Sequence, residues 1–286
     1  MVGNNRTFCF LFLFLLLPVV AFSADLEQGR ILYEKGAAIA RSDPEQAEQF
    51  FQKSVQVFPS YEGYYALGII QLKQEDFSQA LDSFNKADSY GAEASDRAVA
   101  LAMSGQALAA MGRGREGLQV VEDAIALYPD APDWMSKVLH AIEDDITDKV
   151  ATADEITMTL DSSAGRGIAI TPKIDLPVRF AYDSFQLEGQ GEQQVKELAK
   201  ALAKEKFSGT RFLIVGHTDL QGSEEYNQQL SRKRAEATVR ALEQLQPKLK
   251  GYLRAVGRGM SEPRRREMTE QAHKINRRVE VRIDKH

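Results

Sequence analysis

The sequence is poor in cysteine. Cys9 is the single cysteine of a 286-residue chain, and it lies inside an apolar run close to the amino terminus. One thiol cannot form an intramolecular disulfide, which excludes a disulfide-stapled scaffold, and it cannot build a multi-thiolate metal site. The small residues of a lipoprotein cleavage box do not precede Cys9, so we do not expect lipidation.

Beyond its first residues the chain also lacks a long apolar run. The run Phe8–Val20 follows a positively charged start, and the small-X-small triplet Ala21-Phe22-Ser23 comes directly after it. This combination is typical of a secretory signal peptide. We therefore predict that residues 1–23 are a signal peptide, with cleavage after Ser23 or, as a second choice, after Ala24. The exported chain would then have no integral membrane segment; a retained anchor is the alternative.

Patterns that indicate catalysis or metal binding are missing too. The chain has 4 histidines. His217 lies two residues before Asp219, but no serine or cysteine nucleophile accompanies them, and the other histidines show no metal-ligand spacing. Gly257-Arg-Gly259 lacks the third glycine of a dinucleotide-binding fingerprint, so we interpret it as a turn. We predict a non-enzymatic protein with no metal and no cofactor.

The two halves of the chain carry opposite net charges. The net charge is −5, but residues 173–286 hold 23 lysines and arginines against 16 acidic residues, while residues 25–172 hold 12 against 25. A basic half suits nucleic acid, an anionic lipid surface or an anionic wall polymer, and export argues against nucleic acid. The alternative is a solvated basic surface, and we interpret the run Arg264-Arg265-Arg266 as a solvated loop.

Residues 25–146 have a helical pattern that repeats along the chain. Each unit places a small residue four positions before an aromatic residue or a valine: Ala47 and Phe51, Ala80 and Phe84, Gly117 and Val121. The spacing is close to the roughly 34 residues of a tetratricopeptide repeat, in which small residues let paired helices approach. Generic amphipathic helices are the alternative. We predict a tetratricopeptide-like helical repeat domain over residues 25–146, which would recruit a protein or peptide partner.

A change of pattern follows this helical region. Residues 147–172 contain the run Asp161-Ser-Ser-Ala-Gly-Arg-Gly167, which predicts a flexible or loosely ordered linker. Within it we expect a short helix at 155–160 and a strand at 168–170. Residues 173–286 then predict the order β-α-β-α-β-β, with helices on one face of a mixed sheet. The first strand would carry Val178 and Phe180, and the last, at 278–283, would alternate inward apolar with outward charged residues. The predicted fold class is multidomain, with all-α repeats followed by an α+β domain.

A candidate ligand-binding pair follows the second predicted strand. The apolar run Phe212–Val215 predicts a buried strand, so Asp219 lies on a loop at its carboxyl end. Ser223 is a candidate N-cap for the next helix, and Arg234 lies on a helix face that points back towards the loop. An arginine fork matches a carboxylate and an aspartate accepts an ammonium, so the pair suits the free end of an amino acid. The alternative is that Asp219 and Arg234 pair only with each other.

Residues 173–286 carry an ordered series of motifs. They are Phe180-Ala-Tyr-Asp-Ser184, Gly216-His-Thr-Asp219, Gly222-Ser223, Tyr226-Asn227, Leu230-Ser231, Arg234-Ala235, Gly257-Arg-Gly259, Pro263 and Asn276-Arg-Arg-Val279. The series covers about 40 % of the chain and resembles the OmpA-like peptidoglycan-binding domain, the C-terminal family of OmpA, Pal and MotB. Ala181 departs from it, since many members have a second acidic residue there. The resemblance implies a ligand, because this family binds the diaminopimelate of the peptidoglycan stem peptide.

The resemblance also implies which residues form the site. In this family the ligand aspartate lies in the His-Thr-Asp segment and the ligand arginine in the helix after Leu-Ser; here these are Asp219 and Arg234. The full set of predicted peptidoglycan contacts is Asp219, Arg234, Asp183, Thr218, Asn227, Leu230 and Arg278. Asn276 is predicted to brace the surrounding loops.

These inferences combine into one functional prediction. We expect a non-catalytic periplasmic protein of a Gram-negative bacterium, attached non-covalently to the cell wall and associated with the outer membrane. Its OmpA-like domain would hold diaminopimelate, with Asp219 taking the ammonium and Arg234 the carboxylate. Its helical repeats would present a scaffold to a protein partner. The alternative is a protein-interaction adaptor whose OmpA-like domain no longer binds peptidoglycan.

Overall fold

The computed structural model describes residues 13–162, 172–178, 180 and 184–284. Contacts divide the chain into two compact units, Met1–Ala107 and Leu108–His286. The helices before the sheet are α1 Leu13–Ile39, α2 Pro44–Val57, α3 Tyr61–Lys73, α4 Phe77–Tyr90, α5 Ala94–Ala110, α6 Gly114–Leu127, α7 Asp133–Ile146 and α8 Ala153–Ser162. None of the described helices combines the length and the apolar character that crossing a membrane requires. Residues 1–12 of the predicted signal peptide lie outside the described residues.

Capped helix pairs build the first unit. Helix starts are capped by side chains that accept a hydrogen bond from a backbone N–H three residues later, at Asp43, Ser60 and Asp76. Two glycines lie directly against aromatic rings. A Cβ on Gly36 would lie 2.9 Å from the ring of Phe51, and a Cβ on Gly68 would lie 2.7 Å from the ring of Phe84. The same close contact therefore recurs in successive helix pairs. The tetratricopeptide-like identity of these repeats stays a prediction.

The second unit contains a mixed four-stranded sheet. Its further elements are β1 Lys173–Leu176, α9 Gln190–Leu202, β2 Phe212–Gly216, α10 Glu224–Leu245, β3 Leu253–Gly257, α11 Glu270–Asn276 and β4 Val279–Ile283. The strand order is β1-β4-β2-β3, with β2 and β3 parallel and the other neighbours antiparallel. The predicted fold class, an all-α region followed by an α+β domain with a mixed sheet, is confirmed. The short helix α11 is an addition to the predicted order.

One face of the sheet carries the apolar core of the second unit. Ile174 and Val281 from the strands pack there with residues of α9 and α10. Ile156 and Leu160 of α8 are fully buried in the same core, and because they are four residues apart they lie on one face of the helix. Within the predicted linker 147–172, the short helix expected at 155–160 is present as α8 and is part of the core, so this stretch is not a flexible link. The strand expected at 168–170 lies outside the described residues.

Two expectations about the strands are corrected. The first strand is β1, and Phe180, which we expected on it, forms an isolated bridge outside it. In β4 we expected Glu280 to face solvent, but it is 1 % exposed. The reason is that α6 covers this face of the sheet. The ammonium of Lys173, which is 3.9 Å from Glu280, is also 2.9 Å from Glu122 of α6.

Two glycines let α10 cross the sheet closely. Gly216 and Gly257 are paired at the ends of β2 and β3. A Cβ on Gly216 would lie 2.2 Å from the carbonyl oxygen of Ser231, and one on Gly257 would lie 2.6 Å from the backbone nitrogen of Arg232. A larger residue would push the helix away. The first half of α10 therefore lies directly against the strand ends, where the loop with Asp219 begins.

Candidate ligand-binding cleft

A cleft of about 630 Å³ opens at the carboxyl end of β2, between its loop, α10 and the segment after α11. Six of the predicted site residues line it: Thr218, Asp219, Asn227, Leu230, Arg234 and Arg278. The seventh, Asp183, lies outside the described residues. Residues that are far apart in the chain meet here because β2 delivers the loop and Ser223 caps the start of α10, as predicted.

Asp219 has its carboxylate held from two sides. Its Oδ1 accepts a hydrogen bond from the backbone N–H of Gln221 over 3.1 Å. Its Oδ2 accepts one from Nη1 of Arg277 over 2.8 Å, and Nδ1 of His273 lies 4.0 Å from the same oxygen. The side chain is 13 % exposed, so it still reaches the cleft. Asp219 therefore forms its ion pair with Arg277 and not with Arg234.

Arg234 projects from α10 into the cleft, as the helical spacing predicts. Its Nε donates a hydrogen bond to the carbonyl oxygen of Ser184 over 3.0 Å. The guanidinium carbon lies 5.1 Å from the centre of the Phe180 ring, an attractive cation–π arrangement. The half-buried fork is thus oriented by a backbone carbonyl and a ring, which lowers the entropy that ligand binding would cost.

Thr218 and Asn227 support the loop that carries Asp219. The backbone N–H of Thr218 donates to a carbonyl in the loop after β3 over 3.0 Å. The side-chain nitrogen of Asn227 donates to the carbonyl oxygen of Gln221 over 2.7 Å. Both residues are buried. Leu230, half-buried one turn further along α10, gives the cleft an apolar wall.

Buried polar atoms without a partner occur in residues at the cleft and next to it. Within the described residues, neither ring nitrogen of His217 has a hydrogen-bond partner, nor do Oγ1 of Thr218 and Nδ1 of His273. Buried polar atoms normally have partners, so these atoms are exceptions among the buried groups of this unit. Burial, together with the nearby charges of Arg278 and Arg282, lowers the pKa of His217 to about 2, and its ring is therefore neutral.

Arg277 is a cleft residue outside the predicted contact set, in which we chose its neighbour Arg278. Besides its bond to Asp219, its Nη2 donates to Glu270 over 2.8 Å. Burial opposes its charge, but the hydrogen bonds to Asp219 and Glu270 outweigh burial and raise the pKa of Arg277. The only signal in the sequence was the run Asn276-Arg277-Arg278. Adjacent residues that enter a strand point to opposite sides, and the run by itself does not say which arginine faces the loop.

Arg278, the arginine that we predicted, lines the cleft but forms its ion pair elsewhere. Its Nε lies 3.1 Å from Oδ2 of Asp175 in β1, and the side chain is buried. The prediction for Asn276 is confirmed, because its Oδ1 accepts hydrogen bonds from the backbone N–H groups of Arg264 and Arg265 over 2.8 and 3.1 Å. Asn276 therefore ties the loop before α11 to the end of that helix.

The cleft brings charges of both signs close to an apolar wall. Asp219 and Glu270 supply carboxylates, and Arg234 and Arg277 supply guanidinium groups. This arrangement suits a ligand that carries an ammonium and a carboxylate. Across the part of the chain that the structure describes, no group of three or more histidine, cysteine or acidic residues could hold a metal ion.

Comparisons with known proteins place the cleft in a known family region. Residues 179–277 match the model of the OmpA family. Outer membrane porin F of Pseudomonas aeruginosa is 31 % identical over 127 residues, which cover 44 % of this chain and 36 % of that protein. The peptidoglycan-associated lipoprotein of the same species is 38 % identical over 102 residues, which cover 36 % of this chain and 58 % of the lipoprotein. The matched regions therefore span between about a third and somewhat over half of the length of these relatives.

A solved structure is also similar to part of this chain. The crystal structure of the peptidoglycan-associated lipoprotein from Burkholderia pseudomallei has 30 % sequence identity and a TM-score of 0.34, and the match covers 41 % of this chain and 92 % of that one. The family match includes β2, α10, β3 and α11, and with them Asp219 and Arg234. The recognition made from the sequence is confirmed: the C-terminal region of this chain, at residues 179–277, is an OmpA-like domain.

Proposed function

We propose that the second unit binds peptidoglycan through this cleft by holding the diaminopimelate of a stem peptide. The free end of that residue carries an ammonium and a carboxylate on one carbon. Asp219 would accept the ammonium, and the fork of Arg234 would bind the carboxylate bidentately. The observation that carries the proposal is that a shielded carboxylate and an oriented guanidinium line one cleft.

The other predicted residues would complete the contact. Thr218, which lines the cleft, would be a further contact. Asn227 would keep the loop in place, and Leu230 would pack against the methylene groups of diaminopimelate. Asp183 and Arg278 stay proposed contacts. The roles of Asn227 and Leu230 follow from the positions of their side chains beside the two charged anchors.

The relatives support this proposal in general terms. The peptidoglycan-associated lipoprotein is, by its name, associated with peptidoglycan, and it is similar to this chain over 102 residues. We extend that association to this chain as part of the proposal. The protein would be non-catalytic, periplasmic in a Gram-negative bacterium, attached non-covalently to the wall and associated with the outer membrane.

For the first unit we propose the role of a scaffold. A groove of about 480 Å³ runs between α2, α3 and α4. Glutamines, among them Gln52 and Gln71, line it, and Lys86 lies over the ring of Tyr64. Amide side chains can donate to and accept from the backbone of an extended segment, so the groove suits a peptide from a protein partner.

Co-sedimentation with purified sacculi that contain diaminopimelate tests the proposed cleft. Asp219→Asn and Arg234→Met remove one charge each while they keep most of the side-chain volume. Loss of one partner from a charged, hydrogen-bonded contact costs about 2–5 kcal/mol, so each variant should bind at least roughly 30-fold more weakly. Arg240→Met, an exposed position on the same helix, is the matched control and should bind like the wild type.

Sacculi whose stem peptides carry lysine sharpen the test. Lysine lacks the carboxylate beside its side-chain ammonium, so Arg234 would lose its partner and binding should be weak. If the wild type and both variants sediment equally, attraction to the wall is a general charge effect and the proposed cleft is wrong. If the wild type does not sediment at all, the wall-binding proposal fails and the adaptor alternative takes its place.

A further inference from the structure

The loop before α11 is not the solvated loop that its three arginines suggested. Within the second unit, acidic residues of α6 and α7 hold two of them. Arg264 pairs with Glu122 of α6. Nε of Arg265 donates to Glu143 of α7 over 2.7 Å, and its Nη2 lies 3.2 Å from Asp144. Helices from the acidic part of the chain therefore engage the basic domain directly.

The pair between Arg265 and Glu143 is buried. The two side chains are only 12 % and 4 % exposed. A buried ion pair adds little net stability compared with an apolar contact, because both charges lose water, but it admits few geometries. Removal of one partner leaves an uncompensated buried charge. The pair is therefore suited to fixing where the loop lies against α7.

A continuous series of contacts leads from this pair to the cleft. The backbone of Arg265 is bound to Asn276, which accepts from its N–H over 3.1 Å and donates to its carbonyl over 2.7 Å. Asn276 is the last residue of α11 and directly precedes Arg277. Arg277 in turn donates to Asp219 over 2.8 Å. Hydrogen bonds, together with the chain link between Asn276 and Arg277, therefore connect Glu143 to Asp219 without a break.

The helix α11 has two faces with different partners. Gln271 and Lys274 contact the α7 side, where they reach Asp144 over 3.3 Å and Asp148 over 3.4 Å. The other face carries Glu270 and His273, which adjoin Arg277 and Asp219 in the cleft. Residues three and seven apart share one helix face, which explains this division. A shift of α7 would therefore move the wall of the cleft.

We propose that α7 positions the ligand cleft, with Glu143 and Arg265 as positioning residues that hold α11 where Arg277 orients the carboxylate of Asp219. This inference rests on the proposed function. It adds to the binding machinery a helix that lies outside residues 179–277, the part that matches the OmpA family. Neither Glu143 nor Arg265 lines the cleft, so both would act through α11.

Binding of a soluble muropeptide with a free diaminopimelate end, measured by calorimetry on the full exported chain, tests the inference. Arg265→Met and Glu143→Gln should each raise the dissociation constant about tenfold. Residues that act as one unit are not additive, so the double variant should lose no more than the worse single variant. Arg265→Met should likewise add nothing in an Arg277→Met background. The exposed neighbours provide controls, since Arg266→Met and Asp145→Asn should bind like the wild type.

Hydrogen exchange of the backbone amides at 270–277 gives a second readout that needs no ligand. It should speed up in Arg265→Met and stay unchanged in Arg266→Met. If Arg265→Met does not fold, Arg265→Lys, which keeps the charge but not the fork, should fold and show an intermediate loss. Faster exchange with weaker binding supports the positioning role.

The possible failures can be told apart. If Asp219→Asn abolishes binding while Arg265→Met binds as tightly as the Arg266→Met control, the proposed function stands and the positioning role is wrong. If the wild type does not bind the muropeptide, the proposed function fails, and unchanged exchange at 270–277 would overturn the positioning of α11 as well. Losses that add up in the double variant would also contradict the inference.

Discussion

His217 shows how burial sets the chemistry of a single residue at the cleft. Its ring is 2 % exposed, and neither nitrogen has a partner within the described residues. Burial and the cations around it, first among them Arg278, keep the pKa of His217 near 2. The residue therefore offers a neutral ring with a donor and an acceptor, and its charge state in the folded protein does not change near neutral pH.

The low pKa of His217 predicts a pH-dependent loss of stability. The folded value lies below the ordinary value of 6.5, so the unfolded chain binds the proton first as the pH falls. The contribution of the neutral His217 ring to the free energy of unfolding is therefore present above pH 6.5. It decreases below that pH, by about 2 kcal/mol between pH 6.5 and 5. Over the same pH range, the free energy of unfolding of His217→Asn, measured in urea, should fall by about 2 kcal/mol less than that of the wild type. Equal pH slopes for the two proteins would contradict the burial of a neutral ring.

At the scale of elements, the close packing of helices decides the geometry of the cleft. The helix α10 lies against the ends of β2 and β3 because Gly216 and Gly257 have no side chain there. Acidic residues of α7 hold the loop before α11. The two glycines thus bring α10 close to Asp219, and the ion pairs of α7 hold α11 close to it.

Substitution of Gly216 should damage this packing. The added methyl group of Gly216→Ala would lie 2.2 Å from the carbonyl oxygen of Ser231, and overpacking of this kind costs about 1–3 kcal/mol. We expect a loss of that size in chemical unfolding, together with weaker muropeptide binding. Gly251→Asn is the control, since Gly251 has a positive φ but open space around it, and asparagine tolerates that conformation. An unchanged unfolding midpoint for Gly216→Ala would be inconsistent with the close approach.

Glu143 adds a pH dependence with the opposite sign. Burial raises its pKa to about 6 although Arg265 opposes the shift. Because the folded value lies above the ordinary 4.5, the stabilising contribution of the protonated group is complete below pH 4.5 and is lost as the pH rises through 6, by about 2 kcal/mol in total. In Glu143→Gln this decline should disappear between pH 4.5 and 7. A variant that keeps the wild-type slope would show that Glu143 is not the group responsible.

At the scale of the whole molecule, the second unit is larger than the OmpA-like region. Helix α8 contributes Ile156 and Leu160 to the core of the sheet, and Arg115 of α6 pairs with Glu155 of α8 over 3.1 Å. The compact unit begins at Leu108, well before the family match at residue 179. The last helices of the acidic region thus belong to the fold of the basic domain.

This organisation predicts where the chain can be cut. A fragment 108–286 should unfold in one cooperative transition, because α8, α9 and α10 share the core of the sheet and ion pairs join α6 and α7 to this unit. A fragment 173–286 would expose the surface that Ile156 and Leu160 cover, and loss of each large buried side chain costs about 2–5 kcal/mol. It should therefore be less stable by several kcal/mol or fail to fold. Equal unfolding midpoints for the two fragments, measured by circular dichroism, would rule out this shared core.

Local signals in the sequence determined the elements of the OmpA-like region. As predicted, Ser223 caps α10 and Asp219 lies on the loop after β2. Caps, prolines and short apolar runs act over a few residues, so they can be read without knowledge of the fold. The series of family motifs added the identity of the domain, because it extends over a hundred residues in a fixed order.

Only the tertiary structure decided which charges face each other. Arg277 rather than Arg278 pairs with Asp219, and Arg265 is buried against Glu143, 122 residues away. Glu280, which alternation placed outward, is buried because α6 covers that face of the sheet. The physical reason is common to all three: periodicity reports which face of an element is apolar, but long-range packing determines what covers its polar face.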